Sequence, residues 1–113
     1  MSYELVFNPV FKITLRRLCS FLIRKHSQKL SNKTRIAIRH GIEEKLLNDP
    51  FIGPICDQLL DLGVYGYRQL IIDKYNIVIY RVDAEKEKIF VLLVFDSRQS
   101  IEKLLCDVNL IVV

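Results

Sequence analysis

The sequence is poor in the residues that most site chemistry requires. Its 113 residues include two histidines, His26 and His40, and three cysteines, Cys19, Cys56 and Cys106. The cysteines are odd in number, far apart and without a C-x-x-C spacing. Neither a disulfide framework nor a zinc knuckle is therefore expected, and they read as reduced, mostly buried thiols. Both histidines fall on basic helical stretches and read as exposed helix residues, so a zinc site would lack partners. Asp49, Asp57 and Asp61 sit in a loop-rich stretch and read as caps and surface charges, and neither a metal nor a cofactor is expected. A glycine-rich phosphate loop, G-x-S-x-G and H-E-x-x-H are all missing, which argues against the commonest nucleotide, serine and zinc chemistries. The longest apolar run, Ile89 to Phe95, has seven residues, against the roughly 20 that a membrane helix needs. Glu4 and Asn8 interrupt any apolar leader. A cytoplasmic protein with no membrane association is the expectation, and no internal repeat or low-complexity tract divides the chain.

What the sequence does contain is apolar mass and an uneven charge. Half of its residues are apolar, enough for one packed core, and residues 1–113 read as a single domain. Net charge is +4, but the halves differ. Residues 1–48 hold ten Lys/Arg and three Glu, a balance of +7, whereas residues 49–113 hold seven Lys/Arg and ten Asp/Glu, a balance of −3. A basic first half points to an acidic partner, either nucleic acid or an acidic protein segment. A solvated helix surface would leave the same imprint.

Periodicity predicts the elements. Tyr3, Leu5 and Phe7 alternate within a strand over Ser2–Phe7. Asn8-Pro9 suits a helix start, since Asn8 can cap free N–H groups and Pro9 lacks one. Phe11, Leu15, Leu18 and Leu22 then form an apolar helical stripe, with an end near Gln28. A second helix is predicted from Ser31 or Asn32, with Ile38, Ile42 and Leu46 inward, to Asn48-Asp49-Pro50. A helical turn is expected at Cys56–Leu62. Strands follow over Tyr65–Ile72 and Tyr75–Val82, joined at Asp73-Lys74, and a third over Glu87–Phe95, apolar on both faces and so central. Asp96 or Ser97 is expected to cap a short helix, Arg98–Leu105, before an apolar tail, residues 107–113. The fold class is α+β, in the order β-α-α-β-β-β-α, a helical hairpin packed on a twisted antiparallel sheet.

The most suggestive polar set lies on the meander and its exit: Arg68, Lys74, Tyr75, Asn76, Tyr80, Arg81 and Arg98. Alternation places Tyr75 and Arg81 on one face, and Asn76 and Tyr80 on the other. Such a set would suit a phosphate backbone and stacked bases. On composition alone the favoured reading is strand-forming core tyrosines flanked by arginines.

Three stretches carry a family resemblance: Tyr67-Arg68-Gln69-Leu70-Ile71-Ile72, Tyr75-Asn76-Ile77-Val78-Ile79-Tyr80-Arg81-Val82, and Phe90 through Phe95 to Asp96-Ser97-Arg98-Gln99. Together they resemble the RelE/ParE toxins of bacterial toxin–antitoxin modules. The resemblance implies the same fold, and a growth-inhibiting toxin neutralised by a cognate antitoxin. It also implies one of two mechanisms: RelE-like members cut mRNA on the ribosome, and ParE-like members poison DNA gyrase without a nuclease site. Family members usually carry Tyr-Arg where this chain has Tyr75-Asn76, and no His or Tyr follows Arg98 to serve as an acid. These departures favour the ParE-like branch, typical of plasmid maintenance, with Arg68, Lys74, Arg81 and Arg98 as target contacts. If the chain is instead a nuclease, Arg68, Tyr75, Arg81 and Arg98 are its catalytic candidates. A third reading is an inactive member that only binds antitoxin. Expected antitoxin contacts are Arg16, Arg17, Arg24, Leu110 and Ile111, in a homodimer or a toxin–antitoxin hetero-oligomer.

Overall fold

A computed structural model describes residues 2–107 of the chain. The apolar tail beyond them, including Leu110 and Ile111, lies outside the described residues. Strand β1 (Glu4–Phe7) leads into helices α1 (Pro9–Lys25) and α2 (Gln28–Asn48), then a short α3 (Asp57–Asp61). Strands β2 (Arg68–Ile71), β3 (Asn76–Asp83) and β4 (Lys88–Asp96) form the meander, followed by α4 (Ile101–Asp107). The sheet order is β1-β4-β3-β2. The meander is antiparallel as expected, while β1 joins the far edge of β4 in parallel, Glu4 opposite Lys88 through Phe7 opposite Val91.

The start of α1 follows its sequence signals. The Asn8 side chain accepts from the Val10 N–H at 2.9 Å, and Pro9 takes the first helical position. Phe11, Leu18 and Leu22 are buried. The turn between the helices comes earlier than predicted. His26 ends α1 by donating its N–H to the Leu22 carbonyl, and Ser27, rather than Ser31 or Asn32, caps α2 by accepting from the Leu30 N–H. Ser31 is buried inside α2, which puts Ile38, Ile42 and Leu46 fully into the core.

Strand β4 is covered on both faces, as its composition required. On one side Ile89, Val91 and Val94 meet Leu18, Leu22, Ile38 and Ile42 of the helical hairpin. On the other, Leu92, Leu93 and Phe95 meet Leu59 of α3 and Ile101, Leu104 and Leu105 of α4. A bulge makes this possible: Leu93 pairs with Ile79 and Val91 with Tyr80, leaving Leu92 as the extra residue. β1 reaches only to Val91 along β4. Beyond it, the Val94 N–H donates to Thr14 Oγ1 at 3.1 Å, and Thr14 in turn donates to the Phe11 carbonyl. A buried threonine on α1 thus satisfies a strand N–H that β1 does not reach.

Candidate functional site

The polar set read from the meander does not gather in one place. Cross-strand partners share a face and strand neighbours alternate. Arg68 lies opposite Tyr80 in register and shares its side of the sheet, while Arg81, next along β3, points the other way. Arg98 follows β4, at the end where β3 begins. Asn76 and Arg81 are five positions apart, about 17 Å at the usual rise of a strand.

At one end of β3, Arg68 Nη1 donates to the Gly53 carbonyl at 2.7 Å, and its guanidinium lies 5.1 Å from the Phe51 ring centre. The Gly53 N–H donates to the Tyr80 hydroxyl at 2.9 Å. Together these clamp the link after α2 against the sheet. Gly53 is required there, because a Cβ would stand 2.2 Å from the Gln69 carbonyl oxygen. Burial of Tyr80 raises its hydroxyl above the ordinary range, against the opposing pull of the Gly53 N–H and the Arg68 charge. Arg81 lies 4.7 Å over Phe90, its cross-strand partner.

At the other end, β3 and β4 meet the turn between α1 and α2 around a cleft of about 260 Å³. Leu22, Leu30 and Thr34 supply its helical wall, and Tyr75, Asn76, Asp96 and Arg98 its sheet wall. Arg98 grips Asp96 as a fork, Nε to Oδ1 at 2.7 Å and Nη2 to Oδ2 at 2.6 Å. The Arg98 backbone N–H adds a third bond to the same carboxylate, whose side chain is 1% exposed. Burial alone would raise the Asp96 carboxyl; the Arg98 bonds and charge, with His26 further off, outweigh it and hold it below the usual carboxylate range. The fork likewise holds Arg98 above the usual guanidinium range. Its guanidinium also lies 4.3 Å from the Tyr75 ring centre, and Lys74 Nζ lies 5.4 Å from it. With Asp96 engaged by Arg98, α4 is started by Ser100, which accepts from the Lys103 N–H, and not by Asp96 or Ser97 as predicted.

Asn76, where the sequence departs from the family pattern, is 5% exposed. Its amide Nδ2 donates to both oxygens of Asp73, at 3.0 and 2.8 Å. Asp73 also accepts from the Tyr75 and Asn76 backbone N–H groups, which fixes the β2–β3 turn. With the amide so placed, its Oδ1 is buried without a hydrogen-bond partner among the described residues. Asn76 and Tyr80 lie toward the helical hairpin as alternation predicted, and Tyr75 sits in the turn ahead of β3. Of the four nuclease candidates, then, only Tyr75 and Arg98 are brought together.

The helical hairpin carries a larger concavity that sequence periodicity did not isolate. A groove of about 610 Å³ runs between α1 and α2, with Phe11, Leu15, Ile36 and Ile38 as its apolar lining and Lys12, Arg35, Arg39, His40 and one carboxylate, Glu43 beside Arg39, on its rim. Ile36 is 68% exposed, and the signal for it was an isoleucine lying off the buried stripe of α2. Arg16, Arg17 and Arg24 share a separate concavity on α1, and Arg17 and Arg24 also face α4, where Arg17 pairs with Asp107 at 2.8 Å. Among the described residues, no group of three His, Cys, Asp or Glu is placed to hold a metal ion, and no helix is long and apolar enough to cross a membrane.

No protein-family model matches the sequence, and no curated protein is similar enough to match it. Solved structures do. A chain of the RelBE2 toxin–antitoxin complex from Mycobacterium tuberculosis superposes with a TM-score of 0.63 at 16% identity, covering 85% of this chain and 99% of that one. A chain of the chromosomal ParDE toxin–antitoxin system from P. aeruginosa gives 0.66 at 14% identity, covering 84% and 96%. The α+β fold expected from the sequence, helices packed on a four-stranded sheet, is therefore shared with chains of both toxin–antitoxin systems.

Proposed function

We propose that this chain is the toxin of a bacterial type II toxin–antitoxin pair, acting as ParE-like toxins do, on DNA gyrase and without cutting RNA. Fold likeness supports the toxin role, and it does not separate the branches, since both neighbours superpose about equally well. The observation that carries the non-nuclease reading is the Asp96–Arg98 fork beside Asn76. Cleavage through a ribose hydroxyl needs a base or acid near its working pH and cations free to meet a crowded phosphate. Here Asp96 is held ionised and occupied, Arg98 is matched to it, and Asn76 is tied to Asp73. Of the four expected target contacts, Lys74, exposed at the β2–β3 turn, and Arg81, stacked over Phe90, are the two that no carboxylate or backbone carbonyl engages among the described residues.

The groove between α1 and α2 suits the antitoxin. An amphipathic acidic helix would lay its apolar face on Ile36, Phe11 and Leu15 and its carboxylates against Lys12, Arg35 and Arg39. Such partners are commonly disordered alone and fold on binding, in the cytoplasm where the target resides.

Expression in bacteria with and without a neighbouring antitoxin gene tests this reading. The expected result is growth arrest with filamentation, relieved by the antitoxin, and cleaved DNA trapped by gyrase in the presence of purified protein. Codon-phased mRNA cuts that vanish in Arg98→Ala would replace it with the RelE-like reading, which the Tyr75–Arg98 pairing at the sheet end favours. Absence of any arrest would leave an antitoxin-binding module.

A further inference from the structure

We propose that the face shared by α1 and α4 docks the phosphate backbone of duplex DNA. Residues 5–42 contain nine Lys/Arg and no Asp or Glu, and every one of those cations is exposed. Six of them line two surfaces of different chemistry. The α1–α2 groove has an apolar floor. The α1/α4 face instead presents Arg16, Arg17, Ser20 and Arg24, with Lys103 from α4, around two adjoining concavities of about 440 and 240 Å³ that share Arg17 and Arg24.

Four observations select the partner. Arg17 and Arg24 are seven residues apart on one helical face, about 10.5 Å along the axis, so the cations form a line rather than a cup. Guanidinium, ammonium and hydroxyl groups, the donors that meet phosphate oxygens, make up most of the lining, beside the Gln99 amide, the Asp107 carboxylate, Leu104 and Ile13. Both concavities are more polar than the α1–α2 groove, with Ile13 the exposed apolar side chain of the larger one, which leaves an amphipathic peptide less to cover. Among the described residues no aromatic side chain lines either concavity, and single strands are held largely by stacking on aromatic rings. A duplex needs only the line of charge. The opposing carboxylate is Asp107, whose pair with Arg17 is solvent-exposed on both sides; such pairs contribute little and exchange readily. The inference is independent of the toxin reading, because it concerns the purified protein and DNA alone.

The test measures binding of the full chain to a fluorescent 25-base-pair duplex of arbitrary sequence across a salt series. Two double variants of equal charge change are compared: Arg16→Glu with Arg24→Glu, and Lys12→Glu with Arg35→Glu on the groove side. The first pair is expected to weaken binding at least tenfold more than the second, and to lower the slope of log affinity against log salt by about 0.9 for each phosphate that is no longer neutralised. Equal losses in the two pairs would mean that net charge alone is read, and would overturn the proposal. So would tighter binding of a single strand of the same length, or a poly-glutamate peptide that binds this face while the duplex does not. If circular dichroism shows the Glu variants unfolded, Arg16→Gln with Arg24→Gln against Lys12→Gln with Arg35→Gln gives the same contrast.

Discussion

The arginines of the sheet and those of the helices are employed differently. Each arginine on the meander or its exit is engaged within the molecule. Arg68 is held by the Gly53 carbonyl and Phe51, Arg81 by Phe90, and Arg98 by Asp96 and Tyr75. On the hairpin, Arg16, Arg24 and Arg35 have no carboxylate partner among the described residues and Arg17 meets only an exposed one, while Arg39 is the exception, lying 5.0 Å over the Phe7 ring as well as beside the exposed Glu43. The stretches that carry the resemblance are thus largely spent on holding the fold, and in the proposals made above recognition falls to helices whose sequence is less distinctive. A guanidinium with a buried or planar partner fixes structure; one facing water is free to meet a partner of opposite charge.

The sharpest way to break the contrast is at the Arg68 clamp. In Gly53→Ala the new methyl would collide with the Gln69 carbonyl, which is backbone and has no room to yield. Relieving it requires the link to lift, losing the bond to Tyr80 and the Arg68 strut together. A loss of about 3 kcal/mol is expected from overpacking and the abandoned buried bond, read as a lower urea midpoint at unchanged m-value. A loss under about 0.5 kcal/mol would mean that Arg68 is not structural, and would return it to the target-binding surface.

Much of this architecture was legible in the sequence, and what was not has physical reasons. The stripes of α1 and α2 and the apolar β4 declare their periods, because each buries one face or both. The helix turn was misplaced because Ser27, Ser31 and Asn32 are all good caps. Only packing selects Ser27, by turning Ser31 inward. The parallel seat of β1 beside β4 is a tertiary choice with no local signal, and the bulge at Leu92 is invisible in a uniformly apolar strand. Within the candidate site, the types of residue were legible and their grouping was not. Arg68, Arg81 and Arg98 look alike in sequence, yet register sends them to three places. Asp73 three residues before Asn76 did carry a signal, since an aspartate ahead of a hairpin strand commonly organises the turn.

A second probe sharpens the contrast through acid. Asp96 has its folded pKa depressed, so the folded state binds fewer protons than the unfolded chain as pH passes the ordinary aspartate value of about 3.9. The stability this carboxylate contributes is fully present above that value and is lost as pH falls through the folded pKa. Unfolding free energy measured between pH 6 and pH 2 should fall less steeply in Asp96→Asn than in the parent chain. Identical slopes in the two proteins would show that the fork with Arg98 is dispensable and that Arg98 is available to a substrate after all.

The smallest effect should come from the helices, and it is the most informative. Arg16→Ala with Arg24→Ala removes two exposed cations that make no ion pair with the described residues and lie away from the buried stripe of α1. Substitutions of that kind usually change stability by less than about 0.5 kcal/mol each. The melting temperature at moderate salt should therefore be nearly unchanged. At low salt it should rise slightly, because removing two like charges from a surface of uncompensated cations relieves repulsion that salt otherwise screens. A salt-dependent gain of this sign would identify the hairpin as a surface whose charge costs the fold a little and is retained for a partner. A clear loss at every salt concentration would place these arginines among the structural ones, and would erase the distinction between helix and sheet.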